Sequence, residues 1–132
     1  FRAALEAIAF EQSLASDAME EAIGQKASTL IASGGGVNSK LLMTIMASVL
    51  QRPVAASPVK EAAALGAAML AAAGVAWYAT PEDASAAMAP KPDTAVQPDS
   101  HLIRPYAQLN AVYRQYYKTI QPLQSALSAL RP

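Results

Sequence analysis

The sequence predicts an α/β domain in which helices pack on a small sheet. Two observations support this class. First, the apolar run Leu30-Ile31-Ala32 leads into a glycine turn at 33–39, and a helical pattern begins near Lys40. Second, amphipathic helical patterns flank this unit on both sides. With 132 residues, of which 53% are hydrophobic and 15% charged, the chain has enough apolar surface for one domain with its own core.

The first half of the chain alternates helix and strand. Apolar residues at roughly helical spacing predict a helix over 1–23, and Gly24 stands where it would end. Residues 28–33 are predicted to form a short buried strand. A helix with a wide apolar face follows over 40–50, and a short strand over 52–56 begins beside Pro53, as suits an edge.

The next predicted helix, Pro58 to Gly74, is unusually rich in alanine. Glu61 is expected in its first turn, where the helix dipole favours a carboxylate. Gly66 lies in its middle, which predicts a buried helix with a close contact at that point. The 18 residues 62–79 carry no charge and so reach the length of a membrane span. We reject a span because alanine and glycine supply little transfer energy.

The second half is predicted to be mostly helical. Thr80 and Pro81 begin a short helix that ends near Met88. The proline-rich stretch 89–100 is expected to be extended or loop. A tyrosine-bearing helix then runs from His101 to Leu130, and Pro122 should kink or end it. Its apolar face is predicted to comprise Leu109, Val112, Tyr113, Tyr116, Tyr117 and Ile120.

Composition excludes several functional classes. Ten basic and ten acidic residues cancel, so no basic excess indicates nucleic acid or an anionic membrane as a partner. The absence of cysteine excludes disulfides and thiolate zinc sites. His101 is the single histidine, and a capping or surface role is the expectation for it.

The glycine turn fits two common nucleotide motifs poorly. A dinucleotide fingerprint starting at Gly34 would need a sixth-position glycine, where Ser39 stands, and an acid some 20 residues on, where Ala55 and Ala56 stand. A P-loop would have Lys40 in place, but Ser39 replaces its second glycine and Leu41 replaces its hydroxyl.

A third pattern fits the chain more broadly. Gly34-Gly35-Gly36-x-x-Ser39 after a strand, an amphipathic helix, a short Pro-Val strand and the block Glu61-Ala62-Ala63-Ala64-Leu65-Gly66-Ala67-Ala68 closely resemble the C-terminal part of the FGGY family of carbohydrate kinases. The helix from Arg2 to Phe10 and the closing helix from Tyr106 to Leu123 are also similar, the latter to xylulokinase-type members.

The resemblance implies an actin-like, RNase-H-like ATPase domain. Its members transfer the γ-phosphoryl of MgATP to a sugar or polyol hydroxyl, which implies ATP and Mg²⁺ as cofactors. Carried over by position, Gly34 and Gly35 would line the phosphates and ribose, Gly36 would complete the turn, and Ser39 would lie near the adenosine.

The resemblance also implies that residues 1–132 are a nucleotide-binding fragment. The catalytic aspartate of the family and most of its sugar pocket belong upstream, in a first domain that this sequence does not match. The start at Phe1, which reads as mid-helix, predicts a piece of a longer protein. The fragment alone is therefore expected to be inactive and to need that first domain as its partner. We name no metal ligand. We expect a cytoplasmic kinase that acts on a xylulose- or ribulose-like ketose. A homodimer is possible.

Other residues are expected to be structural. Glu20 and Glu21 are expected to form a solvated face, and Arg114 and Lys118 are expected to be exposed. The tyrosines at helical spacing are expected to pack in the core or at an interface: Tyr113, Tyr116 and Tyr117. The alternative functional reading is a non-enzymatic α/β interaction module whose glycine turn only connects strand to helix.

Overall fold

The computed structural model describes residues 1–130 and contains five α-helices and two strands in that range. In chain order these elements are α1 (Arg2–Ile23), β1 (Leu30–Ala32), α2 (Lys40–Leu50), β2 (Val54–Ala56), α3 (Ala62–Gly74), α4 (Pro81–Met88) and α5 (Ser100–Ala129). A 3₁₀ turn, Gly35–Asn38, lies between β1 and α2. The predicted class, helices on a small sheet, is confirmed.

The sheet pairs β1 with β2 in parallel, with Leu30 opposite Val54 and Ala32 opposite Ala56. Because α2 connects the two strands, they form one βαβ unit, and both strands end at the same edge of the sheet. Val96, from the proline-rich segment after α4, adds a bridge antiparallel to Val54. The segment predicted to be extended or loop is therefore extended at this point.

The prediction of a buried first strand is wrong for one of its faces. Leu30 and Ala32 pack against the core, but Ile31 between them is 62% exposed. Successive side chains of a strand point to opposite faces, so a layer is needed on each side to bury them all. Within residues 1–130 the layer covering the Ile31 face is incomplete.

Helix α2 is the centre of the core. Ile45 and Val49 pack with Ala9 and Phe10 of α1 and with Tyr106 of α5. On its other side, α2 faces the sheet in a second cluster, whose buried members are Met43, Ala47, Leu50 and Val54. This two-sided burial explains the wide apolar face in the sequence of this helix.

Tyr106 joins α5 to α1 at the start of both helices. Its ring is 2% exposed and lies edge-on to Phe10, with a centroid separation of 6.2 Å. Its hydroxyl donates to Oε1 of Glu6 at 2.8 Å and accepts from Nη2 of Arg2 at 2.9 Å. Burial raises the pKa of Tyr106. Tyr106 is the buried residue of α5, although helical spacing did not predict it on the apolar face of that helix.

The predicted apolar face of α5 is largely wrong. Tyr113 packs against Phe10 at a centroid distance of 5.2 Å, but Leu109, Val112 and Tyr116 are exposed. The hydroxyl of Tyr113 donates to Glu11 at 2.6 Å, and this bond raises the pKa of Tyr113 to about 12. Helical spacing alone identified an apolar stripe but not which stripe faces α1.

Pro122 does not end α5, which continues to Ala129. A proline in a helix removes one backbone hydrogen bond, while the turns on either side can keep theirs. Pro105 is accommodated within the same helix.

Helix α3 differs from its prediction in three ways. It begins at Ala62, so Glu61 occupies the N-cap position without a side-chain capping bond. Ala72 is its one buried residue, so the helix is not buried as predicted. A Cβ placed at Gly66 would meet no atom within 4 Å, so the predicted close contact is absent among the described residues.

Helix α4 packs against α3 and begins as predicted. The Thr80 hydroxyl accepts from the amide of Asp83 at 3.1 Å, and Pro81 is the first helical residue. Over residues 1–130, no helix combines the length and the apolar character that crossing a membrane requires.

Candidate functional site

A cleft of about 740 Å³ opens at the edge of the sheet where β1 and β2 both end. Open α/β sheets bind their ligands at this edge, outside the carboxyl ends of the strands. One wall is the glycine turn after β1, and the other is the connection from β2 to α3 together with the proline-rich segment. The lining residues are Gly34, Gly35, Val37, Asn38, Ala56, Ser57, Pro58, Val59, Lys60, Glu61 and Asp93.

The glycine turn is shaped by Gly34, whose φ of 89° and ψ of −177° lie where L side chains are strained. The carbonyl of Gly34 accepts from the amide of Val37 at 3.3 Å, and the carbonyl of Gly36 accepts from the amide of Ser39 at 3.1 Å. Gly35 donates neither of these bonds, and a Cβ added to it would meet no atom within 4 Å. Gly35 thus lines the cleft, and the space that a side chain at Gly35 would occupy is open.

The four residues predicted to bind the cofactor do not share one environment. Gly34 and Gly35 line the cleft. Gly36 turns toward the opposite side, where a Cβ would lie 3.2 Å from Cδ2 of Leu42. The Ser39 hydroxyl caps α2 by accepting from the Leu42 amide at 3.3 Å, so its side chain already has a structural partner.

The opposite wall is held against the sheet by backbone hydrogen bonds. The amide of Ser57 donates to the carbonyl of Ala32 at 2.8 Å, and the Ser57 hydroxyl accepts from the amide of Val59 at 3.2 Å. The amide of Asp93 donates to the carbonyl of Ala56 at 3.0 Å. These bonds fix Lys60, Glu61 and Asp93 at the same edge as the glycine turn.

Lys60 and Asp93 are cleft residues that the sequence did not predict. The position of Lys60 could have been predicted from parallel pairing of β1 and β2, because the residues that follow two parallel strands lie at the same edge of the sheet. Nothing in the sequence signalled Asp93, which lies more than 30 positions after β2 in a segment without helical or strand periodicity.

Lys40 does not line the cleft, as a P-loop lysine would be expected to do. It is the first residue of α2, it is exposed, and it is not among the residues lining the cleft. The cation of the cleft is Lys60 instead.

The acidic residues of the cleft are Glu61 and Asp93. Within residues 1–130, no group of three or more histidine, cysteine, aspartate or glutamate side chains could hold a metal ion by itself. Mg²⁺ commonly keeps its waters and takes one or two carboxylates plus substrate phosphates. This donor set therefore fits Mg²⁺ that arrives with a phosphate ligand, and it does not form a closed metal site.

An ion pair joins the end of α1 to the start of β2, at the end of the strand opposite the cleft. Arg52, just before β2, pairs with Glu20 near the end of α1 and donates to the carbonyl of Ala27 at 3.0 Å. Glu20 also accepts from the Ala27 amide at 3.1 Å. The hydrogen bond from Arg52 lowers the pKa of Glu20. Glu20 is thus not part of a solvated face, as had been predicted, whereas Glu21 is exposed.

Two further predictions about single residues have clear outcomes. Arg114 is not merely an exposed neighbour, because it pairs with Asp17 and donates to Ser13 at 3.0 Å. His101 is exposed in the first turn of α5, where its amide donates to Asp99. The predicted surface role of His101 is confirmed.

Comparison with known proteins finds that the chain is similar to carbohydrate kinases. The model of the C-terminal domain of the FGGY family of carbohydrate kinases matches residues 1–75. A glycerol kinase from Dechloromonas aromatica is 46% identical over 77 residues, which cover 58% of this chain and 15% of that protein. A xylulose kinase from Lactococcus lactis is 27% identical over 126 residues, which cover 96% of this chain and 25% of that protein.

The fold agrees with the sequence match. The crystal structure of xylulose kinase from Rhodospirillum rubrum superimposes with a TM-score of 0.67 at 32% identity, covering 90% of this chain and 24% of that one. The chain thus spans about a quarter or less of the relatives it matches. Its α/β architecture is the C-terminal part of an actin-like ATPase domain. Since the family model covers more than half of its residues, this chain belongs to the FGGY family of carbohydrate kinases.

Proposed function

We propose that residues 1–132 are the C-terminal, ATP-binding portion of a carbohydrate kinase that transfers the γ-phosphoryl of MgATP to a sugar or polyol hydroxyl. The observation that carries this proposal is the cleft at the carboxyl ends of β1 and β2, with the glycine turn as one wall. Phosphoryl transfer depends mainly on positioning and charge stabilisation, and backbone amides at such a turn serve both.

The proposed nucleotide contacts are made by the turn. Gly34 and Gly35 line the cleft without a side chain, so phosphate and ribose can approach their backbone. Gly36 supports the turn from behind, next to Leu42. Ser39 would lie near the adenosine, and because its hydroxyl caps α2, its contribution there would be to hold the turn.

The remaining catalytic groups are proposed to lie in the N-terminal domain of the same kinase. That domain would supply the aspartate that deprotonates the sugar hydroxyl, and it would close over the cleft. Mg²⁺, when bound, would neutralise phosphate charge, with Glu61 as a carboxylate on the cleft wall. Residues 1–132 alone are accordingly expected to show no sugar-dependent ATP turnover.

A ketopentose resembling xylulose or ribulose is the proposed acceptor, with glycerol as the second candidate. The xylulose kinase of Lactococcus lactis aligns over 96% of this chain, so its match extends into α5. The glycerol kinase of Dechloromonas aromatica is more similar, at 46% identity, but its alignment covers only 58% of the chain. The longer alignment with the xylulose kinase favours a ketose as the acceptor. The higher identity to the glycerol kinase favours glycerol.

An ADP-release assay on the full-length protein tests the proposal. D-xylulose, D-ribulose and glycerol are supplied separately with MgATP, and an assay without acceptor measures background hydrolysis. Turnover that depends on one acceptor is the expected result. If no sugar or polyol raises ADP release above background in a folded, ATP-binding protein, the kinase proposal is wrong, and the interaction-module alternative gains support.

A further inference from the structure

We propose that Lys60 and Asp93 divide the recognition of the nucleotide between them, Lys60 contacting its phosphates and Asp93 accepting hydrogen bonds from its ribose hydroxyls. This inference rests on the proposed function. It adds two side chains to a site that sequence reasoning had built from the glycine turn alone.

The position of Asp93 is set by backbone hydrogen bonds. Its amide donates to the carbonyl of Ala56 at 3.0 Å, at the last residue of β2. Three residues later, Val96 exchanges bonds with Val54: the Val96 amide donates at 2.8 Å, and the Val96 carbonyl accepts at 3.0 Å. The segment is therefore fastened along β2, and Asp93 lies at the carboxyl end of that strand.

The order of segments across this edge gives a distance. The glycine turn follows β1, β2 lies beside β1, and the segment bearing Asp93 lies against β2. The backbones of neighbouring extended segments are about 4.8 Å apart, so the backbone of Asp93 lies roughly 10 Å from the backbone of the turn, and the Asp93 side chain shortens that gap. An extended nucleotide can span such a distance, whereas a single phosphate ion cannot touch both walls.

The charges of Lys60 and Asp93 indicate which part of the nucleotide each side chain would contact. Lys60 is the cation among the residues that line the cleft, and it lies three residues after Ser57, whose amide donates to the carbonyl of Ala32 in β1. An ammonium group attracts phosphate oxygens as a point charge. An ionised carboxylate only accepts hydrogen bonds and repels phosphate, so the groups that suit Asp93 are hydroxyls. Two neighbouring ribose hydroxyls offer two donors to its two oxygens.

The segment itself supplies a matched control. Lys91 is exposed and lies two residues before Asp93, but it does not line the cleft. Glu82 is likewise exposed, in the first turn of α4. Substitution at either position changes charge nearby without changing the cleft wall.

The experiment is equilibrium titration of the full-length protein with ADP and with 2′,3′-dideoxy-ADP, each with Mg²⁺ and with EDTA. Asp93→Asn is expected to weaken ADP binding by about tenfold, the size of effect expected when a hydrogen bond to a charged group is lost. The same variant should weaken dideoxy-ADP binding by less than about twofold, because that ligand has no ribose hydroxyls to bind. Lys60→Met is expected to weaken both ligands about equally and to reduce the dependence of binding on salt. Lys91→Met and Glu82→Gln should match wild type, and melting curves confirm that each variant is folded.

Each contrary result has a distinct meaning. If Asp93→Asn weakens both nucleotides equally or neither, the ribose assignment is overturned. A loss seen only with Mg²⁺ also overturns it, since the carboxylate would then act on the metal. If Lys60→Met binds both ligands as wild type does, the phosphate assignment is overturned. A wild-type protein that binds neither nucleotide would overturn the proposed function and this inference together.

Discussion

Replacing Gly34 with alanine should loosen the glycine turn. The backbone of Gly34 has φ 89° and ψ −177°, a region that is essentially restricted to glycine. Holding another residue there costs about 1–3 kcal/mol. A Cβ at this position would meet no atom within 4 Å, so the whole cost is backbone strain and none is steric.

The two following glycines are the controls. Gly35 does not have a positive φ, and a Cβ there would also meet open space, so Gly35→Ala should change stability by no more than about 0.5 kcal/mol. Gly36→Ala would bring a Cβ to 3.2 Å from Cδ2 of Leu42, a flexible side-chain end that can shift. Three adjacent glycines should thus respond differently to one and the same substitution.

Hydrogen exchange of the full-length protein measures the effect where it occurs. The amides of Val37 and Ser39 are bonded within the turn, so their protection reports its opening. A loss of about 1–3 kcal/mol would speed their exchange roughly 5- to 150-fold in Gly34→Ala, with weaker ADP binding in the same variant. Unchanged exchange in Gly34→Ala, or an equal acceleration in Gly35→Ala, would refute the argument from backbone geometry.

Three other substitutions test separate features. Gly35→Val should raise KM for ATP about tenfold while the melting temperature is kept, because its methyl groups would enter the cleft; an unchanged ATP affinity would remove the turn from the nucleotide site. Lys40→Ala should leave kcat within about tenfold, since Lys40 is outside the cleft, and a thousandfold loss in a folded variant would restore the P-loop reading. Glu20→Gln should lower the melting temperature near neutral pH. Arg52 lowers the pKa of Glu20 below its ordinary value of 4.5, so the stabilisation is present above that value and is lost as the pH falls through the lowered pKa. The melting temperatures of wild type and Glu20→Gln should therefore converge as the pH falls through the lowered pKa of Glu20, and a constant difference across pH would contradict the ion-pair role.

The strand–turn–helix unit was predictable because its signals are local. Gly24 ends α1 with a φ of 73°, Ser39 caps α2, and Thr80 caps α4, each as its residue type favours. Such effects depend on residues within a few positions of one another. The sequence therefore contains them without reference to the rest of the fold.

The errors concern burial and partners, which depend on distant residues. The alanine-rich α3 is predicted to be buried because small residues and Gly66 allow a close helix contact, yet within residues 1–130 only α4 packs closely against it. The predicted face of α5 missed Tyr106, which is buried because Phe10 and Ile45 lie opposite. Asp93 is held at the cleft by backbone hydrogen bonds to β2. Such bonds do not depend on the type of side chain, so the sequence does not reveal them.

The contact between α1 and α5 also bears on the order in which the chain folds. Tyr106 bonds to Glu6 across 100 sequence positions, whereas β1, α2 and β2 are consecutive elements. Closing a long loop costs more entropy than closing a short one, and contacts distant in sequence slow folding. The βαβ unit can therefore form while the chain is still being synthesised, when Ala9 and Phe10 have no α5 to cover them. Until α5 has been synthesised, that apolar face is exposed, which makes the nascent chain prone to aggregate and a candidate for binding by a chaperone.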